Sequence, residues 1–80
     1  MKVTKIKLGL DDVNAFVNAA TECDFDIDVN YNRVIIDAKS ILGVLSLDFT
    51  KVLTVEFSGE NPGFEEFLDD HDAAKIHAVA

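Results

Sequence analysis

The sequence predicts an α+β domain in which three helices cover one face of a four-stranded antiparallel sheet. Four short segments alternate apolar and polar residues, three others place apolar residues at helical spacing, and their order along the chain is βαββαβα. Strands with one apolar face need a covering layer, which the helices supply. The 80 residues are expected to form one domain, with its core in residues 1–70 and a C-terminal helix or tail at 71–80.

The first half of the chain begins with a strand, a helix and a second strand. Residues 1–8 predict the first strand, and after a break at Gly9–Leu10 either Asp11 or Asp12 caps the helix. Phe25–Tyr31 alternates strictly between apolar and polar residues, which predicts a strand with one buried face. The helix between them is predicted by apolar residues at i, i+3, i+4 and i+7, namely Val13, Phe16, Val17 and Ala20.

A hairpin and a very short helix follow. Asn32–Arg33 predicts a tight turn with Arg33 at the second turn position, where glycine adopts positive φ more easily. Val34–Asp37 is the returning strand, and Ser40 is the natural N-cap of the next helix. Apolar residues cover most of the circumference of this helix, so it is either sunk in the core or presents an apolar patch outward: Ile41, Leu42, Val44 and Leu45.

The last third of the chain predicts one more strand and one more helix. Lys51–Ser58 alternates, with inward residues Leu53, Val55 and Phe57. Asn61 caps the final helix and Pro62 occupies its first position, where the missing N–H costs nothing. One face of this helix carries Phe64, Phe67, Leu68 and His71. Residues 69–80 have no strong stop signal, so the helix either continues or frays.

Composition and charge restrict the class of partner. The net charge of −8 argues against nucleic acid and anionic membrane as partners, since no basic patch could neutralise phosphates, and it is compatible with a basic protein partner. No apolar run approaches the roughly 18 residues of a membrane span, and the N-terminus does not have a signal-peptide pattern. Cys23 is the single cysteine, which excludes an internal disulfide and fits a buried residue in a reducing cytoplasm.

One motif is specific enough to suggest a family. Tyr31-Asn32 is followed by the run KSILGVLSL at residues 39–47. This pattern resembles the histidine-containing phosphocarrier (HPr) family of the bacterial sugar phosphotransferase system, which reads Tyr-Asn-Gly and then Lys-Ser-Ile-Met-Gly-apolar-Met-Ser-Leu-Gly. The resemblance implies an open-faced β-sandwich with strand order 1-4-2-3, in a bacterial cytoplasmic protein.

The family carries its phosphoryl group on a motif His-Ala-Arg-Pro-Ala just before the first helix, where free N–H groups and the helix dipole favour an anion. Aligned on Phe16-Val17, the motif falls on the five residues that begin with Gly9 and end with Val13. The histidine position is Gly9 and the arginine position is Asp11. The resemblance therefore predicts a chain without the family's acceptor, and not an enzyme.

Two histidines remain as substitutes. His71 and His77 are expected to lie in a solvated tail, far from the kinase-docking surface that the resemblance implies. The nearby carboxylates do not have a recognised ligand spacing with these histidines, so neither a metal site nor another cofactor is predicted: Asp69, Asp70 and Asp72.

The family's second functional surface surrounds Ser40. In HPr proteins of some Gram-positive bacteria the matching serine is phosphorylated by an ATP-dependent kinase, and the product is a co-repressor for a carbon-catabolite regulator. The resemblance makes Ser40 a candidate phosphorylation site, beside a partner-binding patch of Lys39, Ile41, Leu42 and Leu45. The predicted function is a non-catalytic regulatory module that binds a protein partner.

Three alternatives stay open. In the first, Ser40 is only a helix cap and the leucines belong to the core. In the second, the chain is a phosphotransferase component with an unrecognised acceptor. In the third, it is a scaffold without a partner.

Overall fold

The computed structural model describes residues 1–77, with side chains described as far as Lys75. Its four strands are β1 (Lys2–Ile6), β2 (Ile27–Tyr31), β3 (Val34–Asp37) and β4 (Leu53–Phe57). All neighbouring pairs are antiparallel, and the order across the sheet is β1-β4-β2-β3. The predicted fold class and strand order are confirmed.

Three helices cover one face of this sheet, and a fourth, short one packs against the edge strand β1. They are α1 (Val13–Thr21), α2 (Ile41–Leu45), α3 (Pro62–Asp70) and α4 (Ala73–His77), with a 3₁₀ turn at Leu10–Asp12 before α1. The final helix does not continue past Asp70: α3 ends there, and after a two-residue turn the separate short helix α4 begins.

The core fills the space between the sheet and the helices. The predicted apolar face of α1 is buried in full, and the inward residues of β4 are buried as well. Phe16 of α1, Phe57 of β4 and Phe64 of α3 form the centre, with ring centroids 6.2 Å (Phe16–Phe64) and 5.3 Å (Phe57–Phe64) apart. Such offset and edge-on aromatic pairs add to the stabilisation from burial.

The β2–β3 turn has the predicted length but a different strained residue. Tyr31 pairs with Val34, so Asn32 and Arg33 form a two-residue connection. Positive φ (52°) occurs at Asn32, and Arg33 does not have it. The expectation that Arg33 adopts the positive φ that glycine takes more easily is therefore wrong. Asn32 takes the left-handed position instead, and asparagine tolerates this conformation better than most other residues.

Candidate functional site

The chain reaches α2 through a turn that is closed by side-chain hydrogen bonds. Asp37 Oδ1 accepts the N–H of Lys39 at 2.9 Å, and the N–H of Ser40 donates to the Asp37 carbonyl at 3.0 Å. Ser40 is exposed, has extended backbone angles and accepts the N–H of Gly43 on its Oγ at 3.1 Å. The predicted N-cap is confirmed, because this hydroxyl satisfies an amide that the helix itself leaves unpaired.

Most apolar side chains of α2 point away from the core. Val44 is fully buried, whereas Leu42 is 78% exposed, Leu45 45% and Ile41 38%. Of the two arrangements that the sequence allowed, the structure has the outward patch. We refer to Ile41, Leu42 and Leu45 as the α2 patch. An exposed apolar cluster on so small a domain is typical of an interaction surface.

Gly43 explains how α2 can lie so close to the sheet. A Cβ atom at this position would come within 2.7 Å of Ile36 Cγ2 on β3 and 3.1 Å of Ser40 Oγ. The first distance is too short for real carbon atoms, so only glycine permits this approach. The glycine of the family-like run is thus needed for the position of the α2 patch.

Lys39 plays a different part from the patch residues. It is half-buried, and its Nζ donates to the Cys23 carbonyl just beyond the end of α1 at 2.9 Å. This hydrogen bond connects the start of α2 to the end of α1, so the Lys39 side chain has a structural role in the fold. Cys23 is buried, as predicted, and burial raises the pKa of its thiol.

The segment before α1 is capped differently from the prediction. Asp12 occupies the predicted N-cap position of α1, but its side chain makes no capping hydrogen bond to that helix. Asp12 Oδ2 instead accepts the N–H of Gly9 at 2.8 Å, and the N–H of Asp12 donates to the Gly9 carbonyl at 3.0 Å. These reciprocal bonds close the 3₁₀ turn that leads into α1. The amide of Gly9, the residue aligned with the family's histidine, is therefore already hydrogen-bonded to a carboxylate.

His71 lies beside this segment, contrary to the prediction of a distant, solvated tail. Its Nε2 is 3.4 Å from Asp12 Oδ1, its Nδ1 is hydrogen-bonded to the Phe67 carbonyl at 2.9 Å, and its side chain is 21% exposed. The ring also stacks on Phe67, with centroids 4.2 Å apart. The prediction failed because α3 packs against α1 and ends next to its start. The His77 side chain lies outside the described residues.

The described chain has neither a cluster of metal-ligating side chains nor a membrane-spanning helix. Within residues 1–75, no three histidine, cysteine, aspartate or glutamate side chains come together in a way that could hold a metal ion. The longest helices of the described chain, α1 and α3, have nine residues each, and none is long and apolar enough to cross a membrane.

The open-faced sheet and the capped, outward-facing α2 define a phosphocarrier-like domain. The family model described as "PTS HPr component phosphorylation site" matches residues 6–74, and the chain belongs to this family. HPr proteins are phosphocarriers that interact with other proteins of the phosphotransferase system, and are not enzymes in their own right.

The solved structures that are similar to this chain include two HPr proteins. HPr-C-His from Thermoanaerobacter tengcongensis matches with a TM-score of 0.71 and 22% identity, over 88% of this chain and 93% of that one. Phosphocarrier protein HPr from Bacillus anthracis str. Ames matches with a TM-score of 0.67 and 20% identity, over 89% and 94%. A sequence comparison with curated proteins returns no match. At these identities the structural similarity establishes the fold.

Proposed function

We propose that this chain is a non-catalytic, regulatory member of the HPr family that binds a protein partner through the α2 patch, under the control of Ser40 phosphorylation. The observation that carries the proposal is the outward placement of Ile41, Leu42 and Leu45 on a five-residue helix whose buried side is held by Val44. Apolar side chains displayed on a fixed support are suited to anchoring a partner. The partner proposed is a serine kinase of the HPr type or a carbon-catabolite regulator.

The surroundings of Gly9 support a role other than phosphoryl transfer through the family's histidine. The sequence has no histidine before His71, and the aligned segment carries Asp11 and Asp12. A phosphoryl group here would meet two carboxylates, and it would compete with Asp12 for the amide of Gly9.

Ser40 has the accessibility that a kinase needs. It is exposed, and its Oγ accepts a hydrogen bond from Gly43, so the hydroxyl proton is not committed to that bond. In the proposed modification Oγ attacks the γ-phosphorus of ATP, ADP leaves, and the hydroxyl proton passes to a base of the kinase. The added charge would stand beside the α2 patch and change the partner that the patch accepts.

The direct test is intact-mass spectrometry after incubation with ATP and an HPr serine kinase. One added phosphate is expected on the native chain and on Ser46→Ala, which removes another exposed hydroxyl of the same region, and none on Ser40→Ala. An unmodified native chain, or equal modification of Ser40→Ala, would refute phosphorylation at Ser40. Binding of the Ser40-phosphorylated chain to the carbon-catabolite regulator, lost in a phosphorylated Leu42→Ser variant, would separately test the α2 patch.

One observation favours the second candidate, a phosphocarrier with another acceptor. His71 lies against Asp12, close to where the family's site would be. Its Nδ1 is hydrogen-bonded to the Phe67 carbonyl, so Nε2, 3.4 Å from Asp12 Oδ1, is the nitrogen that does not contact the helix backbone. Incubation with phosphoenolpyruvate and its phosphotransferase enzyme tests this candidate. An acid-labile phosphate that disappears in His71→Ala and persists in His77→Ala would replace the regulatory proposal with this one.

A further inference from the structure

The free edge of β1 is a second surface, at the opposite side of the sheet from β3 and α2. Beyond the end of β1, the N–H of Lys7 donates to the His71 carbonyl at 2.9 Å, and Ile6 forms an isolated antiparallel bridge with Asp72. The turn after α3 thus already pairs with this edge, but only at its far end. The edge accepts an added backbone segment where one is in reach.

α4 packs beside the C-terminal end of β1, and within the described chain the edge has no backbone partner at Val3. Amides of alternate residues in a strand point to the same side, and the β1–β4 register is continuous, so Val3 and Lys5 face the same edge as Lys7. Val3 is 56% exposed, and no residue in the described range donates to or accepts from its backbone at this edge. Unpaired strand edges are templates for another strand.

Two depressions flank this edge, one on each face of the sheet. The depression on the helix side has a volume of about 390 Å³ and lies between Lys2, Thr4 and the α3 residues Glu65 and Leu68. The other has a volume of about 510 Å³, and its lining combines apolar residues with three polar or charged ones: Val3, Val52, Ala73 and Ala74 with Thr4, Lys5 and Asp72. An added strand would continue the pleat and direct its alternate side chains into these two depressions.

Charge decides which side chain suits which depression. On the helix side three carboxylates face one ammonium, that of Lys2, and Lys2 is already paired with Glu65 at 2.9 Å. Asp69 is paired with Lys75, but both groups are well exposed, and ion pairs of this kind are weak enough for an incoming cation to displace. Asp72 lines both depressions. The helix side therefore favours a basic side chain and the other side an apolar one.

We propose that the free edge of β1 binds an extended segment of a partner protein in which basic and apolar side chains alternate. The backbone of the segment pairs with Val3 and Lys5, its basic side chains lie near Glu65 and Asp69, and its apolar side chains contact Val52 and Ala74. A second copy of this chain fits less well, because Lys2 and Lys5 of its β1 point to opposite faces of the strand and do not place basic side chains on one face and apolar ones on the other. The net charge of −8 also attracts a basic segment from a distance.

The test uses the whole protein and a short synthetic peptide of alternating lysine and valine, followed by two-dimensional amide NMR. Saturable shifts are expected at Val3, Thr4 and Lys5. A peptide N-methylated on the pairing amides should bind at least about fivefold more weakly, because it cannot donate to the edge. A peptide of alternating glutamate and valine should show a similar loss, and Leu42→Ser should bind like the native chain, which separates this surface from the α2 patch.

Two variants of the protein complete the experiment. Val3→Pro removes the edge-facing N–H at a position where an edge strand tolerates proline, and should weaken binding as N-methylation does. Asp69→Lys should weaken binding of the basic peptide. The proposal is overturned if millimolar peptide leaves the edge amides unshifted, if N-methylation or the glutamate peptide makes no difference, or if sedimentation shows that a second copy occupies the edge. The N-methylated peptide decides the matter even if Val3→Pro does not fold.

Discussion

Replacing Gly43 by alanine tests whether the close approach of α2 to β3 is what holds the α2 patch in place. Alanine is about 1 kcal/mol more favourable than glycine inside a helix, so helix propensity alone predicts that the substitution stabilises the protein. The new Cβ would lie 2.7 Å from Ile36 Cγ2, an atom fixed on the β-branched side chain of a paired strand residue. Overpacking of this kind costs about 1–3 kcal/mol. We therefore expect Gly43→Ala to lower the free energy of unfolding by about 1 kcal/mol, or the midpoint temperature by about 4–8 °C.

A double-mutant cycle isolates that contact. In an Ile36→Ala background the clashing methyl group is gone, so Gly43→Ala should change sign and stabilise the protein by up to about 1 kcal/mol, less what the contact with Ser40 Oγ costs. Urea unfolding followed by far-UV circular dichroism gives all four stabilities. Gly63→Ala is the control, since its Cβ meets only Asn61 Oδ1 at 3.4 Å, an ordinary contact, and it should not destabilise. Equal destabilisation by Gly43→Ala in both backgrounds would refute the reasoning.

The remaining predictions use the same unfolding assay or simple chemistry. Leu42→Ser should change the free energy of unfolding by less than about 0.5 kcal/mol, because the side chain is mostly exposed, and a larger loss would mean that Leu42 is part of the core. The hydrogen bond from Lys2 holds the pKa of Glu65 below its ordinary value, so the pair stabilises the protein above the unfolded-state pKa and this contribution is lost as pH falls through the folded-state pKa. Glu65→Gln should therefore lose less stability on acidification than the native chain, and an unchanged acid limb would contradict this. Burial raises the pKa of the Cys23 thiol, so alkylation should be at least about tenfold slower in the native protein than in urea, and equal rates would show that the thiol is accessible.

Local patterns in the sequence account for much of the fold. The apolar spacing of α1, the alternation in β4 and the caps at Ser40 and Asn61 all depend on neighbouring residues, and each is found in the structure as predicted. The strand order came from the family-like motif, since periodicity does not say which strands pair.

What the sequence missed depends on contacts between distant segments. Nothing local to His71 shows that α3 ends beside the 3₁₀ turn, so its contact with Asp12 could not be predicted. Asp12 takes the N-cap position of α1, but its carboxylate bonds back to Gly9 in the preceding 3₁₀ turn, and the sequence signal of an N-cap does not distinguish these two arrangements. The outward direction of Leu42 was left open, because apolar residues all around a helix do not indicate which side is covered.

The strand order also has a consequence for the order of assembly. β2, β3 and α2 follow one another along the chain, so the contact between Gly43 and Ile36 closes only a short loop. β1 can pair only after β4 is in place. Phe57 of β4 pairs with Lys2 of β1, and most of the chain lies between these two residues in sequence. Loop-closure entropy makes such distant pairing slow. We expect pulse-labelled hydrogen exchange to protect the β2–β3 amides before those of β1, so that the α2 patch has its support while the edge of β1 does not yet exist.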